Sequence, residues 1–442
     1  MNPTPFVLIL YTTRYRTGGA RFEQAAITME SEKKSEFPGH VVVREPVESK
    51  RDFLEQIARV AAANGVITEF HFIGHSGMYG IMFGSTQWPE QFSPYEWTQI
   101  SIPFAPEAKF YFHACRSGRW FAPYVTRTLN VTTYGYFWYT TFSASRERFR
   151  WPGPWHSKQA KLYVVSCPGK KSHGVLGSAY KYGVRPKVSP MLKFVPTGEA
   201  VDRSYDSVAE LYDQTFEDIG VRHDEWAWLS SNLGDLSGKR ILDIGCGNGA
   251  LLKKLADKQP GAFEGCGVDA SLRMIEQAKQ RCSGYTNLSF RKIDGPCLPF
   301  PDNTFDRITS LLSFRYLDWD PILTEILRVM KPGGDLLVVD MVAAPAGLRK
   351  MAQFLKCKFS EQMQRLRQPG YFRSLHRMVG DPRWQQMLAY NPIRAEHELK
   401  WYLESRFQGR HVQIINVGWK SRIVAFRSGP VHVKSVAPLS FP

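Results

Sequence analysis

Short apolar runs alternate with amphipathic stretches along most of the 442 residues, as strands feeding helices do. In the first half, Phe6 to Tyr11 and Val41 to Val43 read as strands. Ser49 with Asp52 in the following turn marks a helix start. Phe53, Ile57 and Val60 then share one apolar face until Asn64-Gly65 stops the helix. Glu69 to Ile73 and Lys109 to Phe112 are two more strands, and the helix after them turns Phe121, Tyr124, Val125 and Leu129 inward. Val131 to Phe142, Leu162 to Ser166 and Leu192 to Val195 are weaker strand candidates. Pro196 to Ala200 then reads as a connector.

The second half repeats the alternation with sharper punctuation. A strand from Ile241 to Ile244 runs into Gly245-Cys246-Gly247-Asn248-Gly249, and a helix follows with Leu251, Leu252 and Leu255 on one face. Later strands end at Asp269 and Asp294, and a fourth runs from Arg307 to Ser313. After it come a helix from Pro321 to Met330, the turn Lys331-Pro332-Gly333-Gly334 and a fifth strand from Leu336 to Met341. Helix Arg394 to Arg406 and two strands near 412–417 and 421–426 close the unit. The expected fold class is therefore α/β, with two α/β domains at 1–195 and 201–428, a linker at 196–200 and a tail at 429–442.

Glycine at every second position after Ile244 lets backbone N–H groups lie directly against a ligand. Alone, such a loop suits many nucleotide-binding domains. The carboxylate at Asp269, at the end of the second strand, can accept both hydroxyls of a ribose. With Asp294, Gly295 and the Lys331-Pro332-Gly333-Gly334 turn, residues 201–428 resemble the Rossmann-like class I S-adenosylmethionine-dependent methyltransferases. A dinucleotide-binding domain would space its glycines as Gly-x-Gly-x-x-Gly, whereas here the third arrives one position early. The resemblance implies S-adenosylmethionine as cofactor. Asp243, Gly245, Gly247 and Gly249 would face its amino-acid part, Asp269 its ribose, and Asp294 with Gly295 its adenine. Tyr205 and Tyr212 fall in stretches that resemble the N-terminal helix folding over the cofactor.

Relatives acting on small molecules often carry two histidines after the fourth strand. Here Arg315 and Tyr316 take that place, as candidates for binding an acidic substrate and orienting the acceptor. Tyr316 could equally pack the cofactor pocket. Arg394, in a loop before the late helix, is a second candidate anion contact. The reaction aligns nucleophile, carbon and sulfur in a site without water, and needs a base only if the acceptor arrives protonated.

In the first half, one strand ends in Gly74-His75-Ser76-Gly77 and the next in His113-Ala114-Cys115-Arg116-Ser117-Gly118. An imidazole near a thiol is what thiol nucleophilic catalysis requires. The arrangement resembles the caspase-like cysteine peptidases, which implies Cys115 as nucleophile, His75 as base and the Gly77 N–H as oxyanion donor. Two departures stand out. Ser76 follows the histidine where the family has glycine, and the His75–Cys115 interval is shorter than usual. A buried structural thiol is the alternative for Cys115. Phe72 to Gly80 also resembles the nucleophile elbow of α/β-hydrolases, with Ser76 as nucleophile and His156 or His173 to follow. Met78 stands where that turn needs a very small residue.

Composition narrows the partners. Hydrophobic residues are 43% of the chain, enough for sizeable cores. No apolar run approaches the roughly 18 residues of a membrane span, so no membrane partner is expected, and Phe6 to Tyr11 is too short for a signal-peptide core. Seven cysteines without metal spacing point to a reducing, cytoplasmic setting and to no metal. The net charge of +16 favours acidic partners, yet no nucleic-acid module is visible, leaving a nucleic-acid methyltransferase as a third reading. From 344 to 387 lies an insertion rich in cations: Arg349, Lys350, Lys356, Lys358, Arg365, Arg367, Arg373 and Arg377 against Glu361 up to Gly380. It is either a solvated helical face or a cap selecting an anionic substrate. The leading expectation is thus a methyltransferase acting on a small, anionic molecule, with a first domain for substrate binding, regulation or assembly. The second is a cysteine peptidase with an appended cofactor domain.

Overall fold

Val7, Leu8, Ile9 and Leu10 are all fully buried, so strand β1 (Thr4–Thr12) has core on both faces, as parallel strands under helices require. The coordinates are a computed structural model describing residues 3–167, 174–198, 203–344, 347 and 350–431. The chain divides into two compact units, drawn from residues 1–201 and 202–438. Arg349, His173, the end of the connector (199–200) and the tail from 432 lie outside the described residues.

In the first unit β1 is followed by α1 (Gly19–Glu36), β2 (Val41–Val47), α2 (Lys50–Ala62) and β3 (Gly65–Ile73). A small hairpin, β4 (Phe83–Gly84) with β5 (Pro89–Glu90), leads to α3 (Pro94–Gln99), β6 (Phe104–His113), α4 (Phe121–Leu129) and β7 (Thr132–Gly135). Strands β8 (Thr140–Ser143) and β9 (Tyr163–Ser166) pair with each other, and α5 (Gly174–Ala179) precedes β10 (Leu192–Phe194). The main sheet runs β10-β7-β6-β3-β1-β2, parallel except for β10. α2 opens with the expected capping box between Ser49 and Asp52. Helix α1 has no such sequence signal. Its buried face is Phe22, Gln24, Ala25, Ala26 and Thr28, too small and polar to register as an apolar stripe. The expected single strand from Val131 to Phe142 is instead β7 and β8, in different sheets.

One face of this sheet is aromatic. Phe53, Phe70, Phe72, Phe110, Phe112, Trp97 and Phe121 pack there, with Phe70 and Phe110 stacked at 4.3 Å. Into that face is sunk the ion pair Lys50–Glu96 at 2.8 Å.

The second unit begins with α6 (Ala209–Thr215) and α7 (His223–Leu233). It continues through β11 (Lys239–Ile244), α8 (Ala250–Lys258), β12 (Phe263–Asp269), α9 (Leu272–Arg281), β13 (Leu288–Lys292) and β14 (Phe305–Leu311). Next are α10 (Trp319–Val329), β15 (Met330–Ala343), α11 (Met351–Arg367), α12 (Pro369–Gly380), α13 (Pro382–Tyr390), α14 (Glu396–Arg406), β16 (Gln413–Val417) and β17 (Ser421–Arg427). The sheet order is β13-β12-β11-β14-β15-β17-β16, with the last two strands antiparallel. Strand order reverses between β11 and β14, and a doubly wound sheet opens a ligand crevice there, beyond the strands' carboxyl ends. The expected turn at 331–334 is a bulge at the start of β15. Phe305 pairs with Met330 and Arg307 with Asp335, while Lys331 reaches Asp306 at 2.8 Å.

Candidate active site

At the switch point, Ile244 delivers the chain into Gly245, Gly247 and Gly249, with φ of 70°, 52° and 77°. A Cβ on Gly245 would lie 2.4 Å from the Cβ of Ser313, so the turn closes against the chain leaving β14. A Cβ on Gly247 would meet only the Tyr212 ring, at 3.6 Å. That peptide therefore faces open space walled by an aromatic side chain, while its N–H donates to Asp269 Oδ2 at 2.9 Å.

Asp269 also accepts from the Ser271 N–H at 2.9 Å. Burial still pushes its carboxyl above the usual range, the two backbone donors offsetting only part of that. The Ser271 hydroxyl reaches Asp206 at 2.5 Å, which ties the segment before α6 to the end of β12. Asn248 donates to Asp213 at 2.9 Å and to the Phe216 carbonyl at 3.2 Å. Under the loop, Asp243 is 2% exposed and accepts from the Thr309 hydroxyl. Burial carries Asp243 up to about 7.

Four aromatic rings converge on one side. Tyr205 has Tyr212 at 6.1 Å, Tyr316 at 6.0 Å and Trp384 at 6.0 Å. Burial, with Tyr316 next to it, drives the Tyr205 phenol far above its ordinary value. Trp384 comes from α13, and Tyr371 of α12 meets Phe216 at 6.1 Å. Two helices of the basic insertion thus wall the cluster. Trp384 and Ser271 carry no sequence signal for this place beyond being a lone tryptophan in the insertion and the cap of α9.

Not every expected contact forms. The Arg315 guanidinium is buried and paired with Asp340, whose other oxygen takes the Arg315 N–H at 2.5 Å. Arg394 is 2% exposed, lies 3.6 Å over the Trp319 ring and donates to the Arg315 carbonyl at 3.4 Å. Both expected anion contacts are therefore committed inside the fold. Asp340 takes in-plane N–H donors of Arg315, and Arg394 is buried between the Trp319 ring and the Arg315 carbonyl. Asp294 sits at the end of β13, 89% exposed and paired with Lys292, followed by Gly295 with φ of 83°. The insertion's cations are mostly exposed, and Glu361 pairs with Lys358 at 2.6 Å and Arg365 at 2.7 Å.

In the first unit, His75 and Cys115 follow the neighbouring parallel strands β3 and β6, where Ile73 pairs with His113. No hydrogen bond joins them among the described residues. His75 Nε2 engages the Thr17 carbonyl at 3.2 Å between Phe22 and Tyr15, and burial lowers its pKa. The Cys115 thiol engages the Thr140 hydroxyl at 3.2 Å. The Gly77 N–H, expected as an oxyanion donor, bonds the Gly80 carbonyl at 2.7 Å. The hydrolase elbow is overturned. That motif is a strand-to-helix turn, whereas Ser76 pairs with Ile81 in a β-bridge, donates to the Cys115 carbonyl and leads into the β4–β5 hairpin. His156 bonds the Lys161 carbonyl nearby in sequence.

Behind the same sheet, a polar chain borders a cavity of about 320 Å³. Lys33 pairs with Glu69 at 2.6 Å, Glu69 with His71 Nε2 at 3.2 Å, and His71 Nδ1 with His113 Nε2 at 3.2 Å. Burial lowers both histidines, His113 the further. Among the described residues, no cluster of three or more metal-ligating side chains is found. No helix among them is long and apolar enough to cross a membrane.

Comparison with known proteins bears on the second unit. Residues 241–334 match the family described as "Methyltransferase domain". The demethylmenaquinone methyltransferase of Tropheryma whipplei (strain Twist) is 34% identical over 143 residues, covering 32% of this chain and 58% of that protein. The 27-O-demethylrifamycin SV methyltransferase of Amycolatopsis mediterranei is 29% identical over 179 residues, covering 36% and 65%. The chain thus spans under two thirds of these curated relatives. A solved SAM-dependent methyltransferase from Aquifex aeolicus covers 52% of this chain and 99% of its own at 19% identity, with a TM-score of 0.35. Over residues 241–334 the chain is thus similar to methyltransferase domains.

Proposed function

We propose that the chain is an S-adenosylmethionine-dependent methyltransferase acting on a small, flat, largely apolar molecule. The observation that carries this reading is the Gly247 peptide, open on one side to Tyr212 and bonded on the other to the buried carboxylate of Asp269. Ribose hydroxyls would take up Asp269, the glycine loop and Asp243 would receive the amino-acid end, and Asp294 with Gly295 the adenine. When bound, the cofactor supplies a methyl group already activated by a sulfonium. The aromatic wall of Tyr205, Tyr212, Tyr316 and Trp384 suits a positive centre and a planar acceptor.

The chain's own part is alignment and exclusion of water. Tyr205 holds its proton at neutral pH, so it donates a hydrogen bond rather than accepting a proton from the acceptor. An acceptor that is already nucleophilic, such as an activated ring carbon, matches this wall. Tyr316 orients it, and Arg315, locked on Asp340, holds Tyr316 through a 4.4 Å stacking contact. The apolar acceptor replaces the anionic one expected from Arg315 and Arg394. Relatives named for demethylmenaquinone and demethylrifamycin substrates support a bulky apolar class.

Calorimetry with S-adenosylhomocysteine tests the reading. Micromolar binding that disappears in Asp269→Ala is expected, and wild-type protein that binds neither cofactor form would overturn it.

For the first unit, a caspase-like role is the second reading. The adjacent, parallel placement of β3 and β6 supports it, and the separate hydrogen bonds of His75 and Cys115 weigh against a formed dyad. An electrophilic thiol probe that spares Cys115 while labelling exposed Cys297 would end it.

A further inference from the structure

Helix α11 of the insertion is held by one side only. Phe354 meets Trp419 at 5.7 Å, Gln353 reaches the Ile414 carbonyl at 3.5 Å, and Gln364 donates to the Val221 carbonyl at 2.6 Å. No residue of the helix is buried. On the opposite side Leu355, Phe359 and Leu366 are 61%, 71% and 77% exposed, with Met363 between them at 37%. Their spacing of four and then seven residues places all of them on one helical stripe. Helical periodicity also puts Lys356 and Arg367 along one border of that stripe, and Lys358 and Arg365 along the other.

An exposed stripe of this size on a water-facing helix needs a partner. We propose that α11 is an interfacial helix that seats this protein on the surface of an anionic lipid bilayer. The aliphatic and aromatic centre would enter the boundary between headgroups and acyl chains, and the flanking cations would meet lipid phosphates. No helix among the described residues is long and apolar enough to cross a membrane, but a helix lying in the interface needs none. Charge decides between occupants. A second copy docked stripe to stripe would bring Lys356, Lys358, Arg365 and Arg367 against their own counterparts. A nucleic acid would meet the cations but leave the aliphatic centre without a match. The net charge of +16 pulls the same way as the flanking cations. α12 and α13 continue from this helix into the aromatic wall, so docking would bring the pocket wall to a lipid surface. That last consequence rests on the proposed apolar acceptor; the docking itself does not.

The test is flotation of the full chain with vesicles of phosphatidylcholine containing phosphatidylglycerol, and with phosphatidylcholine alone. We expect recovery with the anionic vesicles, at least tenfold weaker partitioning on the neutral ones, and weakening by added salt. Leu355→Glu with Phe359→Glu should abolish flotation while S-adenosylhomocysteine affinity stays at the wild-type value, which separates docking from the cofactor site. Lys356→Glu with Arg367→Glu should reduce binding to anionic vesicles at least tenfold. No flotation of wild type, equal flotation on both vesicle types, or flotation that survives the Leu355/Phe359 variant would each overturn the proposal. A concentration-dependent dimer that this variant dissolves would overturn it in favour of a second copy.

Discussion

The carboxyl group of Asp243 accepts a hydrogen bond from the Thr309 hydroxyl at 2.9 Å, across the neighbouring strands β11 and β14. The loss of solvation outweighs that bond, and Asp243 rises to about 7. The folded, ligand-free protein therefore keeps a proton that an unfolded chain releases near about pH 4. Its stability falls as pH climbs from about 4 to about 7. An α-ammonium beside Asp243 favours the ionised form, so S-adenosylhomocysteine should bind several-fold tighter at about pH 8 than at about pH 6. Asp243→Asn should flatten that dependence. A wild-type affinity independent of pH, measured by calorimetry, would remove Asp243 from contact with the ligand's charge.

Asp269→Ala removes the acceptor of the Gly247 and Ser271 N–H groups. The proposed ribose contact loses the same carboxylate, and hydrogen bonds to a charged group are worth about 1.5–3 kcal/mol each, so S-adenosylhomocysteine affinity should drop more than tenfold. Titration calorimetry reads this directly.

Arg315 and Asp340 form a buried pair. Removing one member leaves an uncompensated charge, at a cost of about 3–5 kcal/mol, whereas apolar replacement of both is often neutral. Arg315→Met should therefore lower the denaturation midpoint strongly, and Arg315→Met with Asp340→Leu should recover most of the loss. Equal destabilisation in the single and double variants would argue that Arg315 acts elsewhere.

Trp384 reaches the Tyr205 ring from α13 and is itself only half-buried. Trp384→Ala should raise KM for the methyl acceptor several-fold while kcat and the melting temperature change little. A matching fall in kcat would show that Trp384 shapes the transition state and not the pocket wall alone.

In the first unit, burial alone would raise Glu69. The hydrogen bonds from His71 and Lys33 together outweigh it and hold Glu69 at about 2. This depressed carboxyl contributes stability above its unfolded value of about 4.3, lost as pH falls toward about 2. Glu69→Gln should weaken the unit at neutral pH and shrink that acid-dependent loss, as acid titration by circular dichroism would show.

The order of strands and helices in the second unit was legible because parallel strands buried on both faces are short apolar runs, and turns need glycine. Gly245 to Gly249, Asp243 and Asp269 sit where spacing alone put them, at the carboxyl ends of β11 and β12. Helix α1 is not legible in the sequence because Gln24, Ala25, Ala26 and Thr28 make up its buried face with Phe22 alone as a large apolar residue, and small or polar residues give no hydrophobic period. Charge is legible in the sequence as composition but not as availability. Arg315 and Arg394 are cations in the sequence, but only the fold brings Asp340 and Trp319 to them. The sequence by itself determined the local alternation and the glycine turn, because both follow from backbone sterics and near-neighbour burial. Tertiary structure alone decided which charges are spent, which rings meet and which face of α11 stays bare, because those depend on residues far apart in the chain.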